Sequence, residues 1–91
     1  MKFTWHEPKR QHNLKKHGLD FADAEKLFEG PMLIFEDARE DYGEQRMVGI
    51  GLLDFVVVVV HVESSEEIRI ISMRKASHYE IDQYYAYLGS I

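Results

Sequence analysis

Ninety-one residues without a cysteine exclude disulfide cross-links and thiolate metal centres, and leave stability to one small apolar core. With 45% hydrophobic and 30% charged residues the composition is that of a globular protein, expected to form a single domain over residues 1–91. A formal net charge of -5 argues against tight nonspecific binding of RNA or DNA, because that affinity comes mainly from neutralising phosphates. Met1 to Trp5 leads directly into a charged stretch with no leader-peptide pattern. FVVVVVHV (Phe55 to Val62) is too short to cross a bilayer as a helix. A cytoplasmic protein with no membrane attachment is therefore expected.

In chain order, MKFTW reads as a short first strand. HEPKRQHNLKKHG reads as a helix: Pro8 suits its first turn, basic residues gather in its last turns, and Gly18 stops it. Leu14 is nearly its whole apolar face. Lys9, Asn13, Lys16 and His17 instead fall at i, i+4, i+7 and i+8 on one side, which is either a solvated face or a functional one. Asp20 can cap a second helix, FADAEKLFEG, with Phe21, Ala24, Leu27 and Phe28 as its core stripe and Gly30-Pro31 as its end. MLIFED reads as a strand and AREDYGE as a polar loop. QRMVGIGLL is a further strand, in which Gly49 and Gly51 mark a close backbone approach.

FVVVVVHV lacks alternation and is rich in β-branched residues, the pattern of a central strand buried on both faces, with His61 partly buried at its end. ESSEE turns the chain into IRIISMR, the last strand. Ser77 and Glu80 have the spacing of a capping box. It opens a final helix that directs Ile81, Tyr84, Tyr85 and Leu88 to the core. The order β-α-α-β-β-β-β-α, with short links between consecutive strands, predicts an α+β domain with a mostly antiparallel sheet packed against helices.

Charge is unevenly spread. Met1 to Gly18 holds five cations (Lys2, Lys9, Arg10, Lys15, Lys16), three histidines and one acid, Glu7. Leu19 to Glu67 holds thirteen acids against Lys26, Arg39 and Arg46, and Ile68 to His78 adds Arg69, Arg74 and Lys75 with no acid. Two basic regions flank an acidic middle. If folding juxtaposes them they form a local anion site; the alternative is weak pairing of these cations with surface acids.

No metal or cofactor is expected. His12 and His17 are five apart, which points them away from each other, unlike the i, i+4 pair of a zinc helix. His6 and His78 lack a second ligand at suitable spacing. There is no glycine-rich phosphate loop and no nucleophile elbow. What remains is a set of Lys, Arg, His and Tyr residues with carboxylates nearby, which suits metal-free cleavage of RNA by its own 2′-hydroxyl. That reaction needs a base for the 2′ proton, an acid for the leaving 5′ oxygen and cations for charge growing on the phosphorane. The planar fork of arginine matches two phosphate oxygens. Composition alone permits this chemistry without requiring it.

Taken together, the motifs resemble the BrnT family of bacterial toxins, the ribonuclease halves of type II toxin–antitoxin pairs. Trp5, Lys9, Asn13, Lys16, His17 and Gly18 match a W-x3-K-x3-N-x2-K-H-G opening, and Phe21 and Ala24 the F-x2-A that follows. Arg39, Tyr42, Gly43, Glu44 and Arg46 resemble R-x2-Y-G-E-x-R. IRIISMRKA (Ile68 to Ala76) resembles I-R-I-I-S-x-R-x-A, with Glu80 and Tyr84 continuing as E-x3-Y. His6 departs from the pattern, which has Asp after Trp. The resemblance implies a compact RelE-like α+β fold and a metal-independent endoribonuclease that arrests translation. It also implies a BrnA-type antitoxin with a ribbon-helix-helix module; the complex represses its own operon, so DNA is met only through the antitoxin. The toxin alone is expected to be a monomer, and to enter a higher assembly with its antitoxin.

With that resemblance, the expected catalytic residues are His17, Lys9, Arg46, Arg69 and Arg74, with Lys16, Lys75 and Asn13 as RNA contacts. Arg69 and Arg74 are expected on the scissile phosphate, with Arg46 supporting them. His17 is the favoured proton-transfer group because imidazole titrates near neutral pH; its alternative role is a helix C-cap beside Gly18. Lys9 is a phosphate contact or general acid. Along a regular strand Arg69 and Arg74 point to opposite faces. They reach one pocket only if the strand bulges or ends before Arg74; otherwise one is structural, with Glu44 the natural partner of Arg69. The competing class is a non-catalytic interaction module whose basic groove docks an acidic partner segment.

Overall fold

The computed structural model describes residues 1–90. Strands β1 (Lys2–Trp5), β2 (Leu33–Glu36), β3 (Met47–Leu52), β4 (Val56–Glu63) and β5 (Glu67–Lys75) form one sheet in the order β1-β5-β4-β3-β2. Helix α1 is Glu7–His17, α2 is Ala24–Glu29 and α3 is His78–Gly89. The α+β order is the expected one, and every strand pair is antiparallel except β1 with β5.

The valine run lies at the middle of the sheet, where both faces are covered. Val57 and Val59 pack with Phe21, Ala24, Leu27, Ile68, Ile70 and Met73 on one side. Val56 and Val58 pack with Ile50 and Tyr84 on the other. Each such burial removes apolar surface worth roughly 1.5–3 kcal/mol from water. Gly49 and Gly51 make room for α2 and the residues after it: a Cβ on Gly49 would sit 2.7 Å from the Met32 side chain, and one on Gly51 3.1 Å from that of Leu27.

Three local readings change. Phe21–Asp23 is a 3-10 turn, with Asp20 accepting from the Ala22 N–H, and α2 proper begins only at Ala24. His61 is fully buried, edge-on to Phe28. Tyr85, expected in the core, is 51% exposed; Ile81, Tyr84 and Leu88 already fill the narrow stripe that α3 lays on the sheet. The capping box forms as expected, and the Tyr84 hydroxyl donates to the Pro31 carbonyl at 2.9 Å.

Two irregularities of β5 position the site. First, β1 pairs with β5 only along Glu67 to Ile70, and the chain then turns into α1. The rest of that edge is met by a side chain instead of a strand. Asn13 accepts from the Met73 N–H at 3.1 Å, donates to the Met73 carbonyl at 3.0 Å, and donates to the Leu19 carbonyl at 3.2 Å. The buried residue of α1 is therefore Asn13, while Leu14 is 39% exposed. Second, Val60 pairs with Ser72 but His61 pairs with Ile70, so Ile71 is a bulge. The extra residue reverses side-chain parity, and Met73 joins Ile68 and Ile70 in the core. Arg69, Ser72 and Arg74 then share the opposite face.

Candidate functional site

Helix α1 starts without a side-chain cap, since His6 makes no cap hydrogen bond, and Pro8 occupies its first turn. Arg10 anchors the helix by a two-pronged pair with Asp20 at 2.7 and 2.9 Å. Gly18 closes it in the left-handed region at φ 72°, its N–H donating to the Leu14 carbonyl. So held, the helix lies along the free edge of β5. Lys9, His12, Lys16 and His17 line a cavity of about 410 Å³ against Ile71 and Ser72. No described carboxylate lines it. Lys9 and Lys16 make no ion pair among the described residues. The five-residue spacing of His12 from His17 argues against a shared metal, yet His12 stands three residues from Lys9 and faces the same space.

The arginines gather around the corner, on the sheet face that α3 partly covers. Register and parity give three rows across this face: Val62 and Arg69 with Arg46; Val48, Val60 and Ser72; Ile50, Val58 and Arg74. The bulge thus resolves the parity problem, and Arg46, Arg69 and Arg74 do share a surface. Each is already held by an acid. Arg69 donates to both oxygens of Glu44 at 2.6 and 2.7 Å, and Arg46 lies 3.6 Å from Glu44 and 4.3 Å above the Tyr42 ring. Arg74 makes a two-pronged pair with Glu80 at 2.8 Å on each arm. That pair is the first cause holding the Glu80 carboxyl down to about 2.

Arg39 is the cation that sequence reasoning left out of the site. It grips both oxygens of buried Asp37 at 2.7 Å, the Tyr42 hydroxyl donates to the same acid, and Arg39 chiefly holds the Asp37 carboxyl down to about 2. Its two-residue spacing from Asp37 was the available signal. Arg39 and Arg74 line a second cavity, of about 300 Å³, which shares Ser72 with the first. The structure therefore makes two adjoining sites of what the sequence presents as one, and in the second Glu36, Asp37 and Glu80 stand beside the two arginines.

Two expected RNA contacts are placed differently. Asn13 borders the α1 cavity, but it is buried, with its oxygen accepting from Met73 and both its N–H groups engaged. Lys75 follows Arg74 onto the opposite face, where its ammonium sits 4.6 Å above the Phe55 ring. Among the described residues no three His, Asp or Glu side chains are grouped to hold a metal ion, and no helix is long and apolar enough to cross a membrane.

A family model, the ribonuclease toxin BrnT of type II toxin–antitoxin systems, matches residues 5–80. The crystal structure of the Brucella abortus ribonuclease toxin BrnT is 38% identical, with a TM-score of 0.70, covering 86% of this chain and 99% of that one. No curated protein matches the chain.

Proposed function

The chain belongs to the BrnT family of ribonuclease toxins of type II toxin–antitoxin systems, and from that premise we propose that it cleaves RNA without a metal at a phosphate seated between α1 and β5. The observation that carries this reading is the α1 cavity, where Lys9, His12, Lys16 and His17 converge with no described acid among them. Lys9 and Lys16 hold the phosphate oxygens, and Arg74 reaches them from the far side of Ser72. Glu80 is its positioning residue.

The 2′-oxygen attacks phosphorus, its proton passes to a base, and the 5′-oxygen leaves with a proton from an acid. A 2′,3′-cyclic phosphate and a 5′-hydroxyl result. His17 is the foremost proton-transfer group, since it lines the cavity at the end of α1 and an imidazole can both take up and give a proton. Lys9 serves as the second group or as a phosphate contact. Arg69 and Arg46, tied to Glu44, take a supporting place further along the sheet face.

The family implies an antitoxin partner. The finer reading is a BrnA-type ribbon-helix-helix antitoxin, with DNA met only through the complex, a monomeric toxin when alone, and translation arrest in the cytoplasm. The acid-paired arginines favour the second reading, a docking module for an acidic segment that exchanges with Glu44 or Glu80. Incubation of purified protein with RNA in EDTA decides between them, using wild type and the His17→Ala, Lys9→Ala and Arg74→Ala variants. Cleavage lost in the variants supports the site, and cleavage unchanged in all three overturns it. No cleavage by wild type, free or with ribosomes, favours docking, and loss of wild-type activity to the chelator makes the enzyme metal-dependent.

A further inference from the structure

The hollow of about 300 Å³ on the sheet face has no part in the proton transfers above, and its build differs from that of an anion site. Its floor is apolar, made of Val48, Val58 and Val60, and the half-exposed ring of Phe35 stands at its side. Arg39 and Arg74 line it as well, and both guanidinium planes are fixed by two-pronged carboxylate pairs. Three acids also line it: Arg39 covers both oxygens of Asp37, Arg74 covers both of Glu80, and Glu36 is exposed to solvent.

A valine floor gives a phosphate nothing. It suits a flat, weakly polar ring, and a guanidinium plane is a stacking surface for such a ring. The volume is at the lower end of small-molecule sites. Through Ser72 the hollow adjoins the α1 cavity, as the base of a nucleotide adjoins its own phosphate.

We infer that this hollow is a nucleobase subsite for the nucleotide flanking the scissile phosphate, with Val48, Val58 and Val60 as its floor and Arg39 as its stacking residue. The assignment rests on the ribonuclease reading, and it makes the sheet face the part of the molecule that selects where RNA is cut. Arg39 contributes its plane rather than its charge, so lysine does not replace it.

The test uses the full chain and an uncleavable 2′-O-methyl oligonucleotide in which one abasic residue is moved along the strand. Cleavage positions on a random-sequence RNA are mapped in parallel. Wild type is expected to lose affinity about tenfold when the abasic residue falls at one position beside the cleavage point, in line with the loss of one stacked base. Arg39→Lys and the cavity-filling Val60→Phe are each expected to weaken the intact oligonucleotide by a similar factor, to lose nothing further at that abasic position, and to broaden the cleavage pattern. Arg39→Lys is the decisive variant, since its side chain is 75% exposed and lysine keeps a cation beside buried Asp37. If Arg39→Lys keeps the wild-type abasic profile and cleavage pattern, the subsite is overturned. A flat profile for a wild type that still cleaves overturns it too, and leaves the ribonuclease reading standing. A wild type that neither binds nor cleaves RNA overturns both.

Discussion

The two cavities meet at Ser72 and differ in how their charge is kept. Along α1 Lys9 and Lys16 make no ion pair among the described residues, with histidines between them and no described acid in the lining. On the sheet face every arginine is matched to a carboxylate: Arg39 to Asp37, Arg46 and Arg69 to Glu44, Arg74 to Glu80. The first arrangement leaves charge available to a phosphate. The second fixes the orientation of guanidinium groups at the expense of their net charge. A chain of formal net charge -5 can therefore still present a compact anion site, because its acids are spent on the neighbouring surface.

The largest expected effect comes from removing the group proposed to move a proton. His17→Ala should lower single-turnover cleavage of RNA about a hundredfold or more. Its denaturation midpoint should stay within about 0.5 kcal/mol of wild type, because the side chain is exposed. If activity survives in this variant, His17 does not move the proton, and the Lys9→Ala variant decides whether the cavity along α1 keeps its claim. Next in size is Asn13→Ala. It strips partners from the Met73 N–H and carbonyl and from the Leu19 carbonyl, so urea unfolding should show a loss of about 3 kcal/mol. A near-neutral result would mean that α1 does not depend on β5 for its seat.

Acid should weaken the fold in two stages. Burial lowers the pKa of His61 below its ordinary value. The unfolded chain therefore binds a proton there before the native state does, and stability falls as pH drops below about 6.5. The Asp37 and Glu80 carboxyls sit at about 2 in the folded protein. Their stabilisation is complete above the unfolded carboxylate range and is lost as pH falls through it toward about 2. Denaturant midpoints measured from pH 8 to pH 2 should show both stages, and Glu80→Gln should flatten the second. The smallest effect is expected from Glu44→Gln, which frees Arg69 and Arg46 from an exposed acid. Stability should move by no more than about 0.5 kcal/mol, while an RNA phosphate on the sheet face should bind more tightly in a salt titration. Unchanged binding would confine phosphate recognition to α1.

The order of elements was legible because each carries a local signal. Pro8 and Gly18 bracket α1, the valine run has no polar face to expose, and Ser77 and Glu80 announce α3. The two irregularities of β5 carry none. Ile70 and Ile71 are the same residue type, and nothing in that pair says that one of them will drop out of register. Asn13 reads as one more polar residue on a basic helix face, and only a partner sixty positions away makes it a strand's substitute. The pairing of Arg69 with Glu44 was foreseeable as an alternative to phosphate contact, whereas the gathering of Arg39 beside Arg74 depends on how the loop after β2 returns across the sheet.

The parallel pairing of β1 with β5, continued by Asn13 on Met73, bears on how the molecule comes into being. A chain made from its amino terminus exposes Lys9, Lys16 and His17 early, yet the edge against which they are held is not made until residues 67–75 follow. Contacts between such distant segments must also bear the loop-closure entropy of everything between them. The basic helix is thus among the first parts synthesised, and its seat on β5 is among the later ones made. If the proposed site is the catalytic one, such a chain stays unarmed until most of it has been made.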